Sequence, residues 1–146
     1  MACAGDKTQK CGASFRLSVT IDANWKQSLF ARQSYNSWNL MDCYVDSSSA
    51  RVLSSGVSTP GGSTNMTVSN CLDSCAARGF KYCGAEYYAE CYGSNTQPKD
   101  SALATSSSGR SDPLAEGCNY ACKGNVTEAC GGSNKIIVYI NNGTST

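Results

Sequence analysis

The chain has 146 residues, with 12 basic and 11 acidic side chains, ten cysteines and no histidine. That length is one ordinary domain, or one domain with a fragment attached. The near-neutral balance offers no basic patch for nucleic acid, and no apolar run reaches the roughly 18–20 residues of a membrane span. The missing histidine excludes the usual Ser-His-Asp and Cys-His catalysts and every zinc site that needs an imidazole.

Residues 2–21 repeat residues 121–140 without a gap, at a constant offset of 119. Nine of the twenty positions agree, among them Cys3/Cys122, Cys11/Cys130 and Gly12/Gly131. A tandem array cut inside one repeat accounts for this. Met1 runs directly into Ala2-Cys3-Ala4-Gly5 with no basic or apolar leader, so the chain reads as a piece of a longer secreted protein. Residues 22–37 are a connector, expected to pack on the core. In it Asn24 can cap a short helix with Trp25 and Leu29 one turn apart.

The first strand is Trp38–Val45, with Tyr44 expected in the core sheet. Ser58-Thr59-Pro60-Gly61-Gly62-Ser63 is a turn-rich loop. Thr67 can cap a helix whose Val68, Cys71, Leu72 and Cys75 fall on one face. Gly79 fits its left-handed end. A second strand is predicted over Phe80–Tyr92, with room for a bend at Gly84. If regular, it turns Cys83, Ala85, Tyr87, Ala89 and Cys91 to the core and Glu86, Tyr88, Glu90 and Tyr92 to the other side. Residues 96–117 read as a long surface loop. Lys135–Ile140 is the last strand, with Tyr139 in the core.

An even cysteine count in a small polar chain favours disulfides and an oxidising compartment. No C-x-x-C pair occurs, so neither a metal site nor a cofactor is expected. The N-terminal fragment holds only Cys3 and Cys11, and the simplest bond joins them. By the repeat, Cys122 joins Cys130. Cys43, Cys71, Cys75, Cys83, Cys91 and Cys118 remain, with fifteen possible connectivities. A weak echo of Cys118-x3-Cys122-x7-Cys130 keeps Cys75–Cys83 among them. Three sequons, at Asn65, Asn125 and Asn142, agree with a secreted glycoprotein.

Residues 38–140 resemble a WSC domain, the cysteine-rich module of fungal cell-wall sensors. The resemblance rests on Trp38-x4-Cys43-Tyr44-x-Asp46, Ser49-Ala50-Arg51-x-Leu53, Met66-Thr67-Val68-x2-Cys71-x3-Cys75 and Gly84-x-Glu86-Tyr87-x2-Glu90-Cys91-Tyr92. It continues in Cys118-x3-Cys122-x-Gly124-Asn125-x2-Glu128-x-Cys130-Gly131-Gly132 and Val138-Tyr139. The division it implies is 1–21 as the tail of a preceding copy, 22–37 as connector, 38–141 as the domain and 142–146 as a tail. One departure stands out. The family pattern E-C-Y-C-G is here Glu90-Cys91-Tyr92-Gly93, and Cys83 stands in for the missing cysteine, so family connectivity is not carried over.

The resemblance implies an α+β fold: a small disulfide-rich antiparallel sheet with one main helix packed on it, similar to PAN/apple modules. It also implies non-catalytic binding of cell-wall polysaccharide, β-1,3-glucan or a mannose-containing glycan, by a monomeric, cell-wall-associated module of a secreted protein. A protein–protein interaction module is the alternative. Sugar binding needs exposed rings and hydrogen-bonding carboxylates and amides. The candidates are Glu86, Tyr88, Glu90 and Tyr92 on the outer strand face, with Asn95 and Gln97 beyond it. Trp38 opens the first strand and is kept as a further candidate ring, while Tyr87 is assigned to the core. Catalysis is not expected, since Glu86 and Glu90 on one strand would stand about 13 Å apart, too far for a glycosidase pair.

Overall fold

The structure is a computed structural model and describes residues 29–104 and 112–143. The N-terminal repeat, the Cys3–Cys11 bond and the Asn24 cap with Trp25 lie outside the described residues. Leu29 lies within them and is not helical.

Among the described residues, eight strands and one α-helix follow in order: β1 (Ser34–Tyr35), β2 (Trp38–Val45), β3 (Ser55–Gly56), α1 (Val68–Ala77), β4 (Tyr82–Glu86), β5 (Glu90–Ser94), β6 (Ala121–Cys122), β7 (Asn125–Ala129) and β8 (Lys135–Asn141). Six form one antiparallel sheet in the order β1-β2-β8-β4-β5-β3, and β6 and β7 form a separate pair. This is the small disulfide-rich α+β architecture the sequence implied.

The central strand explains the core. From Ile136 to Ile140 β8 is apolar without a break, as expected of a strand buried on both faces. Ile137 and Tyr139 join α1 and most of the cysteines on one side. Ile136 and Val138 pack with Tyr44, Leu53 and Tyr82 on the other. A bulge at Met41 shifts the β2–β8 register between Leu40 and Asp42.

Helix α1 forms as its sequence predicts. The Thr67 side chain accepts from Asn70 N, and Gly79 follows at φ 77°. Its buried residues are Val68, Cys71, Leu72 and Cys75. A second cap comes from far away. Glu128, 1% exposed, accepts from Val68 N at 2.7 Å, which sets a carboxylate at the positive end of the helix. Its other oxygen accepts from Arg32 Nε at 2.9 Å. Phe30 bridges to Glu128 and Tyr139 donates its hydroxyl to Arg32 O, so the described part of the connector does pack on the core.

Disulfides join Cys43–Cys118, Cys71–Cys91, Cys75–Cys83 and Cys122–Cys130. The last is the bond the repeat predicted. The substitute cysteine now has a reason. Cys83 and Gly93 are cross-strand partners on β4 and β5, so they share a face. A cysteine at either position looks toward α1. At 93 the space is taken, because an added Cβ would lie 2.4 Å from the Phe80 ring.

The strand predicted over Phe80–Tyr92 is corrected. It is two strands, β4 and β5, folded at Tyr87-Tyr88-Ala89. Tyr87 and Tyr88 take φ of 48° and 70°, in the left-handed region that turns usually fill with Gly or Asn. Gly84 makes no bend. It lies within β4, where a Cβ would meet Ile136 at 2.8 Å.

Candidate carbohydrate-binding surface

The β4–β5 turn thrusts two tyrosines outward. Tyr87 is 51% and Tyr88 37% exposed. Tyr87 therefore does not belong to the core, because the turn ends the alternation that assigned it there. Tyr120, just before β6, completes the cluster. Its ring stacks on Tyr88 at 4.4 Å and 21°, and Tyr87 meets Tyr88 edge-on at 5.3 Å. The turn is held from outside, since Lys123 N donates to Tyr88 O at 3.1 Å.

Beside Tyr87 lies a shallow cleft of about 350 Å³, lined by Ser48, Arg51, Glu86, Tyr87, Glu90, Ser133 and Asn134. Its floor is an ion network. Arg51 Nη1 donates to Asp46 Oδ2 at 2.6 Å and to Glu86 Oε1 at 2.9 Å. Asp46 Oδ1 accepts from Val52 N. The Arg51 guanidinium also lies over the Tyr92 ring, 4.7 Å from its centre. Burial first, then the Asp46 carboxylate beside it, pushes the Glu86 carboxyl up to about 8. The Tyr92 hydroxyl donates to Glu90 Oε1 at 2.5 Å, and burial with that carboxylate pushes the phenol up to about 12.

The structure gathers some of the predicted site residues and scatters others. Glu86 and Glu90 are cross-strand partners, about 5 Å apart at Cα, rather than the 13 Å of a continuous strand. Glu86 is 4% exposed and forms the cleft floor. Tyr88 is on the aromatic surface, and Tyr92 is half-buried under Arg51. Trp38 is 2% exposed and packs in the core, so it presents no ring to a ligand. Asn95 sits elsewhere, accepting from Lys81 N in a groove beside Phe80 and Asn141. Gln97 lines a third depression with Lys99 and Val52. Sequence reasoning missed Tyr120, Ser48, Ser133 and Asn134, which are brought in by chain folding over long separations. Among the described residues, Cys71, Cys75, Cys83 and Cys91 form the one cluster of metal-ligating type, and they are bonded as two disulfides.

Comparison with known proteins agrees with this frame. A WSC domain-containing protein of Arthroderma benhamiae is 33% identical over 138 residues, 94% of this chain and 17% of the relative. A putative fungistatic metabolite of Chaetomium globosum is 34% identical over 147 residues, covering 95% of this chain and 60% of that protein. Kremen protein 2 of Mus musculus is 32% identical over 99 residues, 68% of this chain and 19% of its own length. The chain thus spans less than a fifth of the Arthroderma relatives, at 17% and 13%. The WSC domain signature itself matches residues 40–132, from the middle of β2 past the Cys122–Cys130 bond, and over that stretch of strands, capped helix and disulfides the chain belongs to the WSC family.

Proposed function

We propose that this module binds a cell-wall polysaccharide, a β-1,3-glucan or a mannose-containing glycan, as part of a larger secreted protein. WSC domains are generally thought to bind carbohydrate, and their disulfide frame suits an extracellular protein. The observation that carries this reading is the exposed pair Tyr87 and Tyr88, stacked on half-buried Tyr120, beside a polar cleft. Rings stack on the apolar faces of pyranoses, and the Asn134 amide and the Ser48 and Ser133 hydroxyls supply hydrogen bonds to sugar hydroxyls. Tyr87 and Tyr88 hold a backbone conformation that costs about 1–3 kcal/mol per residue, a kind of strain concentrated at binding sites.

The binding is non-catalytic in this proposal. Glu86 and Glu90 are near one another, but Glu86 is committed to Arg51 and Glu90 to the Tyr92 hydroxyl. The cleft beside them is shallow, whereas active sites are usually deep enough to enclose their substrate.

Pull-down on insoluble β-glucan, mannan and chitin, followed by titration with soluble oligosaccharides, tests the reading. Tyr88→Ala should weaken binding at least about tenfold, the worth of one ring contact of roughly 1.4 kcal/mol, with the melting temperature little changed. Retention of no glycan across a broad array would reject carbohydrate binding and favour a protein partner for the tyrosine surface. Release of soluble sugar from the polysaccharide would reject the non-catalytic reading.

A further inference from the structure

Four sulfurs converge beneath α1. Cys71 and Cys75 project from its buried face, Cys83 from β4 and Cys91 from β5. All four sulfurs lie within 4.8 Å of one another, and no residue of the four is more than 5% exposed. Between the two disulfides, Cys83 Sγ lies 3.4 Å from Cys71 Sγ and 3.9 Å from Cys91 Sγ. Zinc held by four thiolates at about 2.3 Å sets its sulfurs about 3.8 Å apart, at the corners of a tetrahedron. The contacts between the disulfides already bracket that edge. On reduction the two bonded pairs part, and the remaining sulfurs, already within 4.8 Å, adjust by about an ångström at most.

We propose that, once these two disulfides are reduced, Cys71, Cys75, Cys83 and Cys91 bind one zinc ion and give the module a second closed form. Two molecules of a dithiol reductant carry the change. Each delivers two electrons and two protons to one disulfide and leaves as its own cyclic disulfide. The four thiols then release four protons to solvent as zinc binds, with no further redox step, so affinity rises with pH. The metal ties α1, β4 and β5, the same three elements that the two bonds tie. Rival sites are few. The chain has no histidine, and no other group of three or more cysteines and carboxylates lies close enough among the described residues. A chain made or held where thiols stay reduced would meet this form.

The full chain, fully reduced with a phosphine under nitrogen, is titrated with zinc and followed by native mass spectrometry. One zinc per chain is expected. Cobalt in its place should give the intense sulfur-to-metal absorption and visible bands of a tetrahedral four-thiolate site. Cys71→Ser should weaken zinc binding by about a hundredfold or more, while Cys118→Ser, also fully reduced, should leave it unchanged. Neither readout requires the variant to fold in its oxidised form. No bound zinc, a cobalt spectrum of fewer than four thiolates, or equal loss in the two variants would overturn the proposal.

Discussion

Arg51 and Glu86 show how single side chains set the character of the candidate site. Burying Asp46 and Glu86 side by side is tolerable because one guanidinium bridges them and Val52 N satisfies a further oxygen. The residual strain appears as proton affinity. Glu86 keeps its proton up to about 8, against an ordinary 4.5. Between those values the folded chain binds more protons than the unfolded one, so stability falls as pH rises through the window. The contribution is complete below the unfolded value and lost above the folded one. The midpoint of urea unfolding should therefore decline from about pH 5 to about pH 8. Glu86→Gln, neutral throughout, should flatten most of that decline. An unchanged slope would assign the effect to another carboxyl, and Glu116 is the candidate, since burial raises it too. The sequence marked Glu86 as a polar residue on an outer face. It could not show the burial, because Asp46, Arg51 and Glu86 meet only through the sheet.

At the scale of elements, the β4–β5 hairpin decides both the site and the cysteine pattern. A regular strand over Phe80–Tyr92 would have sent Tyr87 inward. The turn at Tyr87-Tyr88 exposes both, and no Gly, Asn or Pro announced it. Tyr88 is fixed there by Tyr120 and by Lys123 N, which come from 30 or more residues away. Helix α1 was legible by contrast, since its cap, its face and its terminating glycine are all local. The register of the hairpin also makes a prediction about cysteine position. Moving the thiol across the strand pair, by Cys83→Gly with Gly93→Cys, should restore a bond to Cys75 once Phe80→Ala clears the space. Non-reducing peptide mapping would identify a 75–93 crosslink. The same pair of changes with Phe80 retained should fold poorly and leave free thiol, because the ring already fills that volume.

At the scale of the whole molecule, the four disulfides among the described residues are unequal. Cys43–Cys118 spans 75 residues, Cys71–Cys91 spans 20, and Cys75–Cys83 and Cys122–Cys130 span 8 each. If a bond acts by restricting the unfolded chain, losing the first costs about 4.5 kcal/mol and losing an 8-residue loop about 2.5 kcal/mol. Urea unfolding of Cys43→Ala/Cys118→Ala should show the larger loss, and of Cys122→Ala/Cys130→Ala the smaller. Equal losses would mean that packing around each bond, rather than chain entropy, sets its worth. The long bond is also the one that fastens the C-terminal part of the module to β2, whereas Cys71–Cys91 and Cys75–Cys83 fasten α1 to β5 and β4, and Cys122–Cys130 closes the β6–β7 pair.

What the sequence alone determined was whatever is written in local spacing or in repetition: the capped helix and its buried face, β2 and β8, the Cys122–Cys130 bond, and the WSC frame of the domain. Short-range chemistry settles these, because a cap, a periodic face or a close pair of cysteines needs no distant partner. Only the tertiary structure decided which tyrosines face solvent, that Trp38 is buried, that Glu86 lies under Arg51, and why a cysteine at 83 can serve for one at 93. Each depends on two segments far apart in the chain meeting in one register. A shift of one residue there exchanges inside for outside.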